Sequence, residues 1–461
     1  MKPKPSKQRR ARVLQLSYAC SPEKGSEPSV GWNRAVQAAQ YSDVWVICEG
    51  NEFAEVIRRH QAVCGPVPGL HFKFVPKTPF EESLSRLPGL YYLGYNLWHR
   101  RAFHLAQSLH RSSPFDLVHQ VNMCGFREPG YLWKLEAPFL WGPVGGTQNY
   151  PWRFLTQADW LGGIGEVARS LSNEIQLQFS PRVRRAADRA ALVMTANSTN
   201  QRDFERARIA TPVQMLETGL PAVSSELPAE RDQSAPLKIL WVGEFRTWKA
   251  LPLLLRALGR CRSKLSFQLR IVGAGQLEKS WRREAERQEI ADRCAWLGWR
   301  PRREVRDQYD WADVLSFTSL RDTSGNVVLE AMAAGVPVIC LDHQGVRDLV
   351  TSDCGVKIPV SHPRQVVDDI QQSLLRLARQ PSKHRALRSG ALKRAEHFLW
   401  SRQGDRMRQI YQDVLGDGFC WSPREDRSED SEAGLVDSGS ETGRVELPVT
   451  VPLANSLEVV T

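Results

Sequence analysis

The sequence predicts an α/β protein made of two doubly wound, Rossmann-like parallel-sheet domains. Three observations point there. Short apolar runs alternate with longer amphipathic runs along most of the 461 residues, the pattern of parallel strands covered by helices on both faces. The alternation breaks once, at Pro221 to Pro236 (PAVSSELPAERDQSAP), where three prolines and little apolar content mark a linker. And 42% hydrophobic with 25% charged residues suits well-buried cores, so a disordered chain, a collagen and a disulfide mini-protein are excluded.

In chain order, residues 1–11 form a basic tail expected to be disordered. The first domain, 12–220, carries strands at Arg12–Tyr18, Val44–Cys48, His71–Val75, Leu117–Val121, Phe139–Trp141, Leu192–Thr195 and Val213–Glu217. Residues 221–236 are the linker. The second domain, 237–399, carries strands at Lys238–Val242, Gln268–Val272, Ala295–Leu297, Val314–Phe317, Val336–Leu341 and Val356–Pro359. Helical periodicity fills most gaps, as at Leu251–Arg260 and Arg364–Ala378. A last helix spans 400–416, with Met407, Ile410, Tyr411 and Val414 on one face. Residues 417–461 read as an acidic disordered tail.

Charge is unevenly spread. From Trp421 to Thr461 nine acidic residues face three basic ones, a net of −6, whereas the whole chain carries +11 and the body before the tail +17. A basic body favours phosphates, nucleotides, anionic lipid or nucleic acid as partners. Nine scattered cysteines without a CxxC pair predict a reduced, cytoplasmic chain and no zinc site. No apolar signal region follows the basic start, and no stretch of about 18 apolar residues occurs, so neither a signal peptide nor a membrane span is expected.

Open parallel sheets bind ligands outside the carboxyl ends of their strands, which directs attention to the strand-to-helix loops. After the first strand, Cys20–Trp32 (CSPEKGSEPSVGW) offers Gly25 and Ser26 for close backbone approach and a helix start, near Ser29, for an anion. An ordinary capped loop explains it equally. Gly142–Gly146 (GPVGG) is a tight backbone path beside a ligand, or a turn that needs positive φ. In LKILWVGEFRTWKA, Gly243 ends a strand and Arg246 and Lys249 precede a helix, where cations oppose the helix dipole. Phosphate binding would explain them; a solvated basic loop is the alternative. Ile271–Gly275 (IVGAG) is half of a dinucleotide fingerprint, lacking the third glycine.

The richest segment is SFTSLRDTSGNVVLEAMAAGVPVICL, Ser316–Leu341. A strand ends near Phe317, Gly325 and a capping Asn326 precede an apolar helix from Val327, and Gly335 and Pro337 close it. Asp322 and Glu330 should face one cavity together with the free loop amides. Two carboxylates suit sugar hydroxyls and the amides suit a phosphate; dipole complementation alone is the plain reading of Glu330.

At this segment the chain resembles the family 4 glycosyltransferases, whose hallmark is an acid, seven residues, then Glu-Ala-Met-Ala with a Gly and a Pro. Asp322, seven residues and Glu330-Ala331-Met332-Ala333-Ala334-Gly335-Val336-Pro337 match it. Lys249 six residues after Gly243, the Val-Gly-Ala-Gly loop with Gly273 and Gly275, and Leu297-Gly298 fall in register. Gly25-Ser26-Glu27-Pro28 and Gly142–Gly146 resemble a bacterial polysaccharide-type subgroup. The resemblance implies the GT-B architecture, two facing domains, and retaining transfer of a sugar from a nucleotide-sugar donor to a hydroxyl acceptor, saccharide or lipid-linked, in polysaccharide or glycolipid synthesis. Carried over by position, Glu330 would bind the donor's ribose and Asp322 its sugar hydroxyls. The Gly325, Asn326 and Val327 amides and Lys249 would hold the diphosphate, with Gly243, Arg246, Gly273 and Gly275 nearby. Gly25, Ser26, Glu27, Gly145 and Gly146 would form the acceptor or interdomain loops. Many members carry a strand-end His touching the sugar; His119 is the candidate here, although the contacting position falls nearer Val121.

No cofactor is expected beyond the nucleotide-sugar substrate, and no metal, since no Asp-x-Asp motif is present. The departing diphosphate must then be neutralised by fixed cations and helix N-termini. Two departures stand out: Glu244 replaces the usual Arg of the Gly-to-Lys loop, and Asp322 is one methylene shorter than Glu. Tyr91–Arg111 is aromatic on one side and basic on another. A core-facing helix is its plainer reading; peripheral contact with anionic membrane is the other. A dinucleotide-dependent oxidoreductase and a non-enzymatic polyanion binder are the competing functions. Nucleic acid is not an expected partner, because the charge is not clustered with aromatics in one module.

Overall fold

The computed structural model describes residues 9–87, 89–227 and 231–424. The first sheet contains β1 (Ala11–Ser17), β2 (Ser42–Glu49), β3 (Leu70–Val75), β4 (Leu117–Asn122), β5 (Phe139–Val144), β6 (Ala190–Thr195) and β7 (Val213–Gln214). Its order is β3-β2-β1-β4-β5-β6-β7, every pair parallel. With it go α1 (Ser26–Ala39), α2 (Gly50–Cys64), α3 (Pro79–Arg86), α4 (Tyr91–Ser112), α5 (Trp160–Phe179), α6 (Pro181–Arg189) and α7 (Ser198–Arg206). The second sheet contains β8 (Leu237–Val242), β9 (Phe267–Val272), β10 (Cys294–Gly298), β11 (Val314–Phe317), β12 (Val338–Leu341) and β13 (Gly355–Ile358), in the order β10-β9-β8-β11-β12-β13 and again parallel. Its helices are α8 (Leu251–Cys261), α9 (Glu278–Arg287), α10 (Arg302–Trp311), α11 (Asn326–Ala333), α12 (Gln344–Leu349), α13 (Pro363–Arg379) and α14 (Pro381–Glu396).

Strand order reverses between β1 and β4 in one sheet and between β8 and β11 in the other. At such switch points adjacent loops leave in opposite directions and open a crevice. The loops after β1, β4, β8 and β11 are therefore the ones positioned for a ligand.

The last helix, α15 (Trp400–Leu415), packs on α1 of the first domain. Its apolar face, Met407, Ile410 and Tyr411, joins the first core. The chain crosses between domains twice, and the crossings touch. Leu220 bridges Leu399, with Leu220 N–H donating to the Phe398 carbonyl (2.8 Å) and Trp400 N–H to that of Leu220 (2.9 Å). Among the described residues of 221–236 no helix or strand forms.

Both tail expectations need correction at their inner ends. Arg9 makes a bidentate pair with Asp116, and Arg10 donates to the Ser422 carbonyl. Cys420 N–H donates to the Arg9 carbonyl (3.0 Å), and Trp421 is buried in the first core. Residues 9–11 and 417–424 thus zip the two ends together, because aromatic burial outweighs local polarity. The remaining tail expectations, on 1–8 and 425–461, fall outside the described residues.

The α4 helix takes the core-facing reading. Tyr95, Trp98, His99, Ala102 and Ala106 point inward, and Trp98 Nε1–H donates to the Val75 carbonyl (2.7 Å). Its aromatic stripe is therefore not available to a membrane. The exposed apolar stripe lies instead on α5, where Trp160 (81% exposed), Leu161, Ile164, Leu171, Ile175 and Phe179 (75%) face solvent while Glu166, Ser170 and Asn173 are buried. That helix is inverted relative to the usual surface pattern. No helix among the described residues is long and apolar enough to cross a membrane.

Candidate active site

Lys249 ends the loop after β8. Its ammonium pairs with the Asp322 carboxylate at 2.5 Å, the acid supplied by the loop after β11. The same ammonium lies 5.6 Å from the centre of the Phe317 ring. That ring underlies Gly325, whose absent Cβ would sit 3.4 Å from its edge. Lysine, Asp322 and the start of α11 are thus adjacent, as the switch-point geometry requires.

The start of α11 differs in detail from the sequence expectation. Gly325, at φ +71°, occupies the cap position, and no side chain caps the helix. Asn326 is the first helical residue rather than the cap, because the left-handed turn at Gly325 brings the chain in one residue earlier. The Asn326 Oδ1 is buried without a hydrogen-bond partner, an acceptor suited to a ligand hydroxyl or amine. Glu330 lies one turn on. Its carboxylate accepts from the Tyr309 hydroxyl (3.0 Å) and is 3.3 Å from Arg302, both on α10. Glu330 and Asp322 therefore do not converge on one point, since the helix turns Glu330 toward α10 while Asp322 meets Lys249.

A cavity of about 340 Å³ lies between the domains. Gly25 lines it from the loop after β1, and Ser26 and Ser29 from the start of α1; Asn326, Val327 and Glu330 line it from α11; Trp299 and Arg300 come from the loop after β10, and Arg302 from the start of α10. A second cavity of about 290 Å³ shares Leu220, Arg302 and Glu330. Glu330 is common to both. The helix behind the first of these loops, α1, starts at Ser26, one turn earlier than expected, with Ser26 at φ +57°. Gly25 has an extended φ and open space around it, so backbone strain does not require a glycine there. Glu27 turns inward: its carboxylate accepts from Cys124 N–H (3.1 Å), and burial raises its pKa.

Several expected contacts are explained by packing within the protein. Gly273 and Gly275, both at positive φ, let the IVGAG loop press on the neighbouring loop; a Cβ at Gly273 would lie 1.9 Å from the Gly243 carbonyl oxygen and one at Gly275 2.8 Å from that of Phe245. Arg246 is neutralised by Glu244 at 2.6 Å. Gly145 abuts Thr323 of the facing domain, where a Cβ would meet the Thr323 methyl at 2.6 Å, and the carbonyl of Gly146 accepts from Arg169. His119 does not reach the cleft. It is fully buried, with Nδ1 2.7 Å from the Tyr411 hydroxyl and Nε2 2.7 Å from the Gly142 carbonyl. Burial holds it neutral, at a pKa of about 4. Its task is to hold α15 on the sheet, because strand alternation points position 119 into the helix layer.

The domains are latched beside the cleft. Asn197 donates to the Thr323 carbonyl (2.8 Å), Ser198 N–H and hydroxyl to Asp348 (2.7 and 2.8 Å), and Gln344 receives Asp322 N–H (2.8 Å) while donating to the Asn149 carbonyl (2.8 Å). Below them Glu217 is buried beside Ser324, and desolvation lifts its carboxyl to about 7 from the usual 4.5. The folded state favours the protonated acid. Its stabilising contribution is therefore full below pH 4.5 and lost as the pH rises through 7. Glu217→Gln should remove this slope, so that its stability relative to wild type grows by up to about 3 kcal/mol across that window. Denaturant midpoints measured at pH 4.5, 6 and 7.5 check it; parallel curves for the two proteins would refute it.

Sequence reasoning missed Arg302 and Tyr309. The signal was present: Gly298–Arg302 is itself a strand-to-helix loop, and RPRREVR is strongly basic. Among the described residues, no group of three or more His, Cys, Asp or Glu is arranged to hold a metal.

Residues 236–376 match the family model described as Glycosyl transferases group 1, which bears out the resemblance read from the hallmark segment. A putative colanic acid biosynthesis glycosyltransferase, WcaL of Escherichia coli K12, is 30% identical over 127 residues, covering 26% of this chain and 31% of that protein. D-inositol 3-phosphate glycosyltransferase 1 of Catenulispora acidiphila is 27% identical over 254 residues, covering 50% and 59% respectively. The chain thus spans a third to three-fifths of the length of these relatives. Among solved structures, the lipopolysaccharide outer core galactosyltransferase WaaB superposes with a TM-score of 0.60 at 15% identity, covering 87% of this chain and 99% of that one. Anabaena HepE in complex with UDP and glucose gives 0.56 at 15% identity, covering 87% and 100%. These likenesses establish the GT-B fold expected from the sequence.

Proposed function

We propose that the chain is a retaining glycosyltransferase that moves a sugar from a nucleotide-sugar donor to a hydroxyl acceptor in polysaccharide or glycolipid synthesis. One observation carries this reading. Loops from the switch points of both sheets line a single interdomain cavity, with the β1 loop opposite the start of α11 and Glu330 at the junction with a second cavity. A nucleotide sugar is long enough to need both. Glu330 would accept from the ribose hydroxyls, exchanging its Arg302 and Tyr309 contacts for ligand ones. Lys249 and the α11 amides would take the diphosphate, whose charge grows as the glycosidic bond breaks. Asp322 would then be released from Lys249 to accept from sugar hydroxyls. Relatives named as colanic acid, amylovoran and inositol-phosphate glycosyltransferases, and the UDP-bound neighbour, support the reaction class.

The oxidoreductase alternative loses ground, since the glycines of IVGAG are accounted for by loop packing. An acceptor carried at the inner face of a membrane fits the apolar outer face of α5, a helix that also meets the loop after β11 through Glu166 and the Gly146 carbonyl through Arg169.

A panel of UDP-, GDP-, ADP- and dTDP-sugars tests the reaction, scored by melting-temperature shift and release of free nucleoside diphosphate. One donor should stabilise the wild type, and Glu330→Ala should weaken that donor at least ten-fold, since losing a charged hydrogen-bonding partner costs about 1.5–3 kcal/mol. A panel without any stabilising donor would defeat the proposal.

A further inference from the structure

Where α5 meets the loop after β11, Arg127 and Arg321 both lie close enough to Arg169 to repel it, and one carboxylate, Glu166, is in direct contact with Arg321. Arg321, from the loop after β11, donates to Glu166 of α5 (3.0 Å) and stacks 4.2 Å from the Trp248 ring centre. Arg169, also on α5, donates to the carbonyls of Gln148 (2.7 Å) and Gly146 (3.3 Å). Arg127 donates to Asn173 of α5 and lies 5.9 Å from the Tyr92 ring centre. The Arg321 and Glu166 side chains are only 12% and 5% exposed. Arg127, Arg169 and Arg321 carry three positive charges against the single negative charge of Glu166.

Such an excess is unfavourable in a desolvated place, where charges are normally paired. Its effect on Arg169 is visible: burial first, then repulsion from Arg321 and Arg127, lowers its pKa to about 9. The Nε–H groups of Arg127 and Arg321 are buried without a hydrogen-bond partner. The pair with Glu166 accounts for the charge of Arg321, but the bonds of Arg127 and Arg169 do not explain two further cations, because neutral donors would serve the carbonyls and Asn173 equally well. Planar guanidinium forks match a tetrahedral oxyanion.

We propose that Arg127, Arg169 and Arg321 form an anion site on the acceptor side of the cleft, taking a phosphoryl group borne by the acceptor. The assignment of that group to the acceptor rests on the glycosyltransferase reading; the site itself stands on charge and geometry. The phosphoryl group could belong to a soluble sugar phosphate or to a lipid carrier.

Inorganic phosphate is the probe, titrated calorimetrically at constant ionic strength into wild type, Lys249→Ala, Arg169→Gln, Arg127→Gln and Arg169→Lys. Lys249→Ala should keep the arginine-dependent binding and lose only a separate phosphate event at the donor-diphosphate site. Each arginine-to-glutamine change should weaken binding at least ten-fold, and Arg169→Lys should recover part of it. Without phosphate, Arg127→Gln should melt no lower than wild type, because it relieves repulsion. Glycerol 3-phosphate competition, against flotation with phosphatidylcholine vesicles with or without phosphatidic acid, separates the soluble from the lipid source, and success in either arm supports the site. No phosphate binding by wild type, or binding lost in Lys249→Ala but kept in the arginine variants, would overturn it. So would a lower melting temperature with unchanged phosphate binding, which would make the arginines mere loop supports. Arginine-dependent phosphate binding without any stabilising donor in the nucleotide-sugar panel would leave this site standing and remove the glycosyltransferase reading.

Discussion

Lys249→Ala is expected to lower sugar transfer by about two to three orders of magnitude, the usual cost of deleting one fixed donor to a charge that develops in a transition state. Two observations single out this lysine as the cation of the proposed diphosphate site. Arg246, the other positive residue of its loop, is neutralised by Glu244. And Lys249 sits beside Phe317 and Gly325, at the start of a helix whose first amides are uncapped by any side chain. The substitution also frees Asp322, whose unpaired carboxylate would repel the donor diphosphate, so the donor KM should rise as well as kcat fall. Stability should fall as well, because the pair is only about one-fifth exposed on each side and removing one partner leaves Asp322 as an uncompensated, largely desolvated charge. Steady-state kinetics beside a denaturant curve check this. A variant within three-fold of wild-type kcat would show that the diphosphate is stabilised elsewhere.

Gly345→Ala should be nearly as damaging without touching any ligand. A Cβ at Gly345 would lie 1.6 Å from the Thr323 carbonyl oxygen and 2.5 Å from its carbon. Backbone atoms cannot swing aside as a side-chain tip can, so the loop from Arg321 to Ser324 must move. That loop carries Asp322, receives Asn197 from the first domain through the same Thr323 carbonyl, and is held by Gln344 next door. Overpacking of this kind typically costs 1–3 kcal/mol, and a displacement of about 1 Å in a positioned group can cost about 100-fold in rate. The variant should therefore melt lower and lose most activity together. Wild-type turnover with a lowered melting temperature would show that the loop tolerates the shift.

The strands were the most legible part of the sequence. All thirteen form, because a strand buried on both faces writes itself as a mostly apolar run, broken only by Lys238 in Leu237–Val242 and by Ser316 in Val314–Phe317. Pairing of Lys249 with Asp322 was legible only as proximity in a motif; their 73-residue separation closes because β8 and β11 are neighbours. Three features were not legible. The direction of His119 depended on whether a strand-end residue faces the helix layer or the cleft, which one residue of register decides. Glu330 was expected to face one cavity with Asp322, but Tyr309 and Arg302 on α10 claim its carboxylate. The arginine trio was hidden because Arg127, Arg169 and Arg321 come from three separate segments, and only the fold brings them to one place.

The adjacent crossings at Leu220 and Leu399 have a mechanical consequence. A domain hung from one strand of chain could swivel, tumble and drift. A domain hung from two hydrogen-bonded strands is restricted to a bend about the line joining them, like a door on paired pins. Opening of the groove should then proceed along one path, and a protease that nicks one crossing should leave both halves travelling together on a sizing column.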